Sequence, residues 1–315
     1  MPSSAARRHH PRDAAERVLA ARSVCTMPID RTTLEGTIKA SGGAQQPGEQ
    51  VEGLLAKLQT LEATGRYGAL FKTLAKVNNK GNFLAFLLEA TFAHQFEAVG
   101  MPLEYEVKQA PDQPSSIDFK LAGKNTDTVF FELQLQQQDQ ATANDITKHL
   151  AAGPFYAAVK DGAGEADDIF RLQSTILRKV QKPDGTPVKF LQAGPSIVNI
   201  VVVCISDILL GTSGAFDCLL TLYGDPEVPE HFRRGVFGLF QDANVRDAEE
   251  VKVRAAKYAY VKNTLHGVLF IFRPNGSGVL DYQLQQVMVW NRKLVSEAQA
   301  ACLTAQIAAA LPAKE

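Results

Sequence analysis

The sequence predicts an α/β fold built around a single mixed sheet. Three observations carry that expectation. Two apolar runs, Ser196–Ile205 (containing IVNIVVVCI) and His266–Arg273 (HGVLFIFR), lack polar alternation, as strands covered on both faces do. The stretch Ser116–Gln136 (SIDFKLAGKNTDTVFFELQLQ) reads as two strands joined by a polar turn, Ala122–Asp127. Segments with apolar residues at helical spacing lie before, between and after these strands.

The elements follow in order. Residues 1–26 are basic, with five arginines, and lack the apolar stretch of a secretory signal. Met27, followed by Pro-Ile-Asp, reads as an alternative start. Ser, Gly, Gln and Pro dominate 41–48, so residues 1–48 are expected to be disordered and 49–315 to form one α/β domain. Val51, Leu54, Leu55, Leu58 and Leu61 set a helix over Glu49–Thr64, stopped by Gly65. A second, short helix covers Tyr67–Val77. Asn82 is expected to cap a third helix running to about Val99, apolar around most of its circumference and therefore buried.

A strand over Met101–Val107 precedes the central pair. Helices are expected over Ala141–Ala152 and Glu165–Gln181, the latter ending at the turn signal Pro183-Asp184-Gly185. After the buried run 196–205, Cys218–Leu222 reads as weakly structured. A basic helix over Val245–Lys262, the strand His266–Arg273, a short strand Gln286–Trp290 and an Ala-rich helix Leu294–Ala310 complete the chain.

Composition narrows the function. The 315 residues carry a net charge of −1, so any nucleic-acid surface must be local. The longest apolar candidate, Ile197–Leu210, is broken by Asn199, Ser206 and Asp207, which argues against a membrane span. Cys25, Cys204, Cys218 and Cys302 form no CxxC pair, unlike a zinc site or a dense disulfide framework, so reduced thiols and a cytoplasmic location are expected. There is no GxxxxGK[ST] loop, no GxGxxG after a strand and no GxSxG elbow. His149 and His266 stand alone, and His94 lies one turn after Glu89.

Side chains alternate faces along a strand. Asp118 and Lys120 therefore share one face of the first central strand, and Glu132, Gln134 and Gln136 share one face of the second. Paired as a hairpin, the strands bring Asp118 and Glu132 to one side of the sheet, a minimal ligand pair for a hard divalent cation. The same alternation also fits a half-solvated antiparallel strand. Glu89 interrupts the apolar stripe of Phe86, Phe92, Ala93 and Phe96, where a carboxylate needs a partner, a hydrogen bond or a metal.

This order resembles the restriction-endonuclease-like superfamily, the PD-(D/E)xK nucleases, over roughly residues 82–205. The resemblance implies an α-β-β-β-α-β core and hydrolysis of DNA with Mg²⁺, or Mn²⁺. It implies metal ligation by Asp118, Glu132 and Glu89. The lysine expected two residues after the acid is Gln134, an ExQ variant, leaving Lys120 or Gln134 to orient water. Arg171, Arg178 and Lys179 on the following helix are candidates for phosphate contact. The alternative is a catalytically inactive nuclease-like fold that binds nucleic acid or protein.

Overall fold

The computed structural model describes residues 29–41, 47–74, 76–111, 113, 115–123, 127–136, 148, 164–190, 194–205, 214–224, 235–237, 248–274 and 277–314. Its centre is a six-stranded sheet in the order β1-β2-β3-β4-β5-β6. The strands are β1 (Leu103–Val107), β2 (Ile117–Ala122), β3 (Thr128–Leu135), β4 (Ile197–Cys204), β5 (Gly267–Phe272) and β6 (Gln285–Trp290). β1, β2 and β3 pair antiparallel, β3, β4 and β5 run parallel, and β6 returns antiparallel. The helices are α1 (Arg31–Ala40), α2 (Gly48–Ala63), α3 (Gly68–Leu74), α4 (Lys80–Ala98), α5 (Gly164–Val180), α6 (Ala215–Tyr223), α7 (Ala248–Thr264) and α8 (Glu297–Ala310).

Helices cover both faces. Phe92 and Phe96 of α4 pack on Phe119 and Phe131 with ring centroids 5.4–5.6 Å apart, alongside Val202, Leu269 and residues of α8. On the other face, Leu172, Ile176 and Val180 of α5 meet Val201, Val203, Val268 and Phe270, with Cys218 and Leu222 of α6 and Val261 of α7. β4 thus divides its valines between two cores, which is why its sequence shows no polar alternation. Among the described residues no helix is long and apolar enough to cross a membrane.

Three local expectations need correction. Part of the segment expected to be disordered is helix α1: Asp30 accepts a hydrogen bond from the Thr33 amide, and Leu34 and Ile38, one turn apart, are buried. Residues 1–28 lie outside the description. The cap of α4 is Asn79 rather than Asn82: Asn79 Oδ1 accepts from the Asn82 amide at 2.9 Å. Cys218–Leu222 is the body of helix α6, whose first turn is held by Asp217 Oδ2 accepting from the Gly214 amide. Of the helix expected over Ala141–Ala152, only Lys148 falls within the described residues.

Candidate functional site

The site forms where the β2–β3 ladder ends. Cα partners run Ala122↔Thr128, Leu121↔Val129, Lys120↔Phe130 and Phe119↔Phe131. One further step in this register sets Asp118 opposite Glu132. There a side chain replaces the backbone acceptor: Asp118 Oδ2 accepts from the Leu133 amide at 2.7 Å. β3 continues beyond this point against β4 alone, with Glu132 beside Val201.

Glu132 is 1% exposed. Its Oε1 accepts from Lys179 Nζ at 2.8 Å and lies 3.4 Å from Lys189 Nζ. Its Oε2 is buried with no hydrogen-bond partner. A buried carboxylate oxygen without a donor is costly and calls for a physical reason. Lys179 arrives from α5, on the turn that also buries Ile176 and Val180. Lys189 arrives by a reversal after that helix. Gly185, at φ 86°, takes a left-handed turn, and the Val188 amide donates back to the Val180 carbonyl. Lys189 Nζ also donates to the Ser116 carbonyl at 2.7 Å, tying it to the start of β2.

Glu89 reaches the cluster from α4. Its Oε2 accepts from the Tyr105 hydroxyl at 2.5 Å. Burial raises the Glu89 pKa, the Tyr105 bond opposes this, and Glu106 and Glu132 add repulsion. Burial and the neighbouring Glu89 push the Tyr105 hydroxyl upward as well. Asp118 is pushed up to about 7, first by burial, then by the charges of Glu132 and Glu89, against the pull of Lys179 and the Leu133 amide. Elements α4, β2 and β3 thus bring together three carboxylates that sense one another, facing two lysines.

The remaining expected residues fall as follows. Lys120 stands directly across from Glu104 on β1 and binds its Oε1 at 2.8 Å. Gln134 Nε2 donates to the neighbouring Leu135 carbonyl at 2.7 Å. Gln136 Oε1 accepts from Thr175 Oγ1 of α5 at 2.8 Å. Arg171 pairs with Asp168 at 2.9 Å. Arg178 donates to the Ser174 carbonyl at 3.2 Å. Lys179, expected beside Arg178 as a phosphate contact, has its ammonium on Glu132. His266 is a structural residue: its Nδ1 accepts from the Asn199 amide at 3.1 Å, and burial lowers its pKa.

Sequence reasoning missed Lys189, the role of Tyr105, and Glu106. Glu106 is a non-glycine residue at φ 52° on the edge strand. The β1–β2 register, Tyr105↔Phe119 and Val107↔Ile117, sets it opposite Asp118. Such a left-handed backbone costs on the order of 1–3 kcal/mol and concentrates at functional sites.

Among the described residues, no group of three or more His, Cys, Asp or Glu side chains is arranged to hold a metal ion. Magnesium asks for less: it takes one or two carboxylates and keeps several waters. The unpartnered Glu132 Oε2, and an Asp118 whose pKa is pushed up by burial and by its carboxylate neighbours, fit such an ion. Comparison of the chain with family models, curated proteins and solved structures gave no match.

Proposed function

We propose that the chain is a Mg²⁺-dependent nuclease acting on DNA, built on a restriction-endonuclease-like core. Among the described residues the order α4-β1-β2-β3-α5-β4 supports this reading, matching the α-β-β-β-α-β order of that superfamily. The observation that carries it is the placement of Asp118 opposite Glu132 at the end of the ladder, with Lys179 2.8 Å from Glu132. Lys179 is thus a cation delivered by α5 in place of the one that β3 lacks at Gln134.

Asp118 and Glu132, the latter through Oε2, would hold the ion. Bound magnesium supplies a polarised phosphate and a water of lowered pKa. Lys179 fixes the Glu132 carboxylate through Oε1 and offers positive charge to the phosphate. Lys189 anchors the same oxygen to the start of β2. Asp118 must give up its proton to serve as a ligand, so burial and the neighbouring carboxylates, which push its pKa up to about 7, make ion binding weaken as pH falls. Tyr105 orients Glu89 behind the pair.

Two observations favour the second reading, a nuclease-like fold without catalysis that binds nucleic acid or protein. Both lysines already meet Glu132 Oε1, and the Gln134 amide is turned to the backbone. The deciding experiment is cleavage of plasmid and single-stranded DNA with Mg²⁺, Mn²⁺ or EDTA, comparing wild type with Glu132→Ala. Metal-dependent cleavage lost in a folded variant supports the nuclease. Cleavage that survives the substitution removes the site assignment. No cleavage with any metal, together with DNA binding indifferent to Mg²⁺, favours the binding module.

A further inference from the structure

Helix α5 has a second face. Lys179 points inward to Glu132, but Arg178, the preceding residue, is turned about 100° around the helix. It lines a groove of 480 Å³ between α5 and α7, together with Phe170, Arg171, Ser174, Lys182 and Tyr258. The volume lies within the range of small-ligand pockets, about 300–1,000 Å³.

The chemistry of the lining is specific. Among the described residues it carries three cations, Arg171, Arg178 and Lys182, and no carboxylate. The guanidinium of Arg171 meets Asp168 just outside, and Asp184 lies near Lys182. Arg178 hydrogen-bonds to the Ser174 carbonyl and Thr175 Oγ1. Two aromatic rings share the groove with these cations, and Phe170 remains 41% exposed. A cationic last turn alone fits the negative end of the helix dipole. That effect does not extend to Phe170, two turns earlier on the same side of α5.

We infer that this groove binds a single strand of nucleic acid, with phosphates on Arg178 and Lys182 and unstacked bases against Phe170 and Tyr258. Cations that track the backbone and aromatic faces that stack bases are the two parts of single-strand recognition. A duplex keeps its bases stacked internally and offers nothing to such rings. An acidic peptide would use the cations and leave the rings idle. The inference rests on reading the chain as a nucleic-acid protein and names the substrate class: a strand lying across the outer face of α5 passes the same helical turn that carries Lys179 to the carboxylates.

The test is fluorescence anisotropy of a labelled oligothymidylate and of a duplex of equal length, in EDTA, over a salt series. Wild type binds the single strand more tightly than the duplex. Arg178→Ala/Lys182→Ala weakens single-strand binding about tenfold and reduces the salt slope by about 1.4, at roughly 0.7 per phosphate contact. Phe170→Ala weakens it about tenfold with the salt slope unchanged, as loss of one stacked base does. Circular dichroism confirms that each variant is folded. Preference for the duplex, wild-type affinity in the Arg178/Lys182 variant, or equal displacement by polyglutamate overturns the inference. Cleavage reports separately. Metal-dependent cleavage with unaltered affinity in both groove variants removes the groove and leaves the site. Groove-dependent binding without cleavage by any metal removes the nuclease and leaves the groove.

Discussion

Lys179 Nζ lies 2.8 Å from Glu132 Oε1, so helix α5 and strand β3 are joined by an ion pair whose carboxylate is buried. The pair is asymmetric. One Glu132 oxygen meets two lysines, and the other has no partner. Removing one member of a buried pair strands the other, whereas replacing both is far less costly. Lys189 remains beside Glu132 when Lys179 is lost, which limits the damage. Lys179→Met should therefore cost about 2 kcal/mol in urea unfolding, with Glu132→Gln recovering part of it in the double variant. In cleavage, Lys179→Met should lower the rate about 10²–10³-fold, as loss of a positioned charge does. Gln134→Lys added to that background should restore part of the rate, because it returns a cation to the face of Glu132.

Asp118 gives stability a pH dependence of definite sign. Its folded pKa, about 7, lies above its ordinary value of 3.8. Between these values the folded state holds a proton that the unfolded state has released, so stability falls as pH rises. The loss begins near pH 4 and is complete once pH passes about 7. Glu89, also raised, acts in the same sense. In Asp118→Asn this contribution disappears while the side-chain oxygen can still accept from the Leu133 amide. Urea midpoints from pH 4.5 to 8 should fall less in the variant than in wild type, and the variant should be the more stable at pH 8.

Tyr105 separates packing from hydrogen bonding. Its ring packs at a tilt against Phe119, with centroids 5.2 Å apart, while its hydroxyl donates to Glu89. Tyr105→Phe keeps the ring and deprives the carboxylate of that donor. The expected cost is about 1–2 kcal/mol at neutral pH, shrinking toward pH 4 as Glu89, whose pKa burial raises, takes up its proton and the hydrogen bond loses its charge. Thermal unfolding at the two pH values checks it.

Glu106 holds a left-handed backbone at φ 52° and adds to the repulsion at Glu89. Asparagine adopts that conformation more readily and carries no charge. Glu106→Asn should stabilise the fold by about 0.5–1 kcal/mol. A destabilised variant would mean that the Glu106 side chain contributes more than its strain removes.

Much of this arrangement was legible in the residues. The runs of β4, with Asn199 as its single polar residue, and of β5 read as strands covered twice, and helices do cover both faces. The alternation in β2 and β3 brought out Asp118 and Glu132 together, because a strand period of two fixes faces without reference to the rest of the fold. Lys179 was harder. It falls seven residues after the buried Leu172, on the inner stripe of α5, so the helical period held the signal. The sequence marked it only as a candidate phosphate contact beside Arg178; a lysine at a helix end also satisfies the dipole, so nothing singled out its pairing with Glu132. Lys189 depends on a chain reversal that brings residues 188 and 180 together, and Glu106 on a backbone angle that glutamate does not favour; neither is written in residue type. Helix α1 escaped because only Leu34 and Ile38 mark its buried face, next to a Gly- and Gln-rich stretch.

The central claim is that the carboxylates at the end of the β2–β3 ladder take a divalent cation. Calorimetric titration with Mn²⁺, for wild type and Glu132→Gln, tests it without relying on turnover. The account predicts saturable binding by wild type, accompanied by proton release at pH 6.5 as Asp118 ionises, and loss of both in the variant. Identical titrations of the two proteins, or binding by wild type with no proton release, would contradict it.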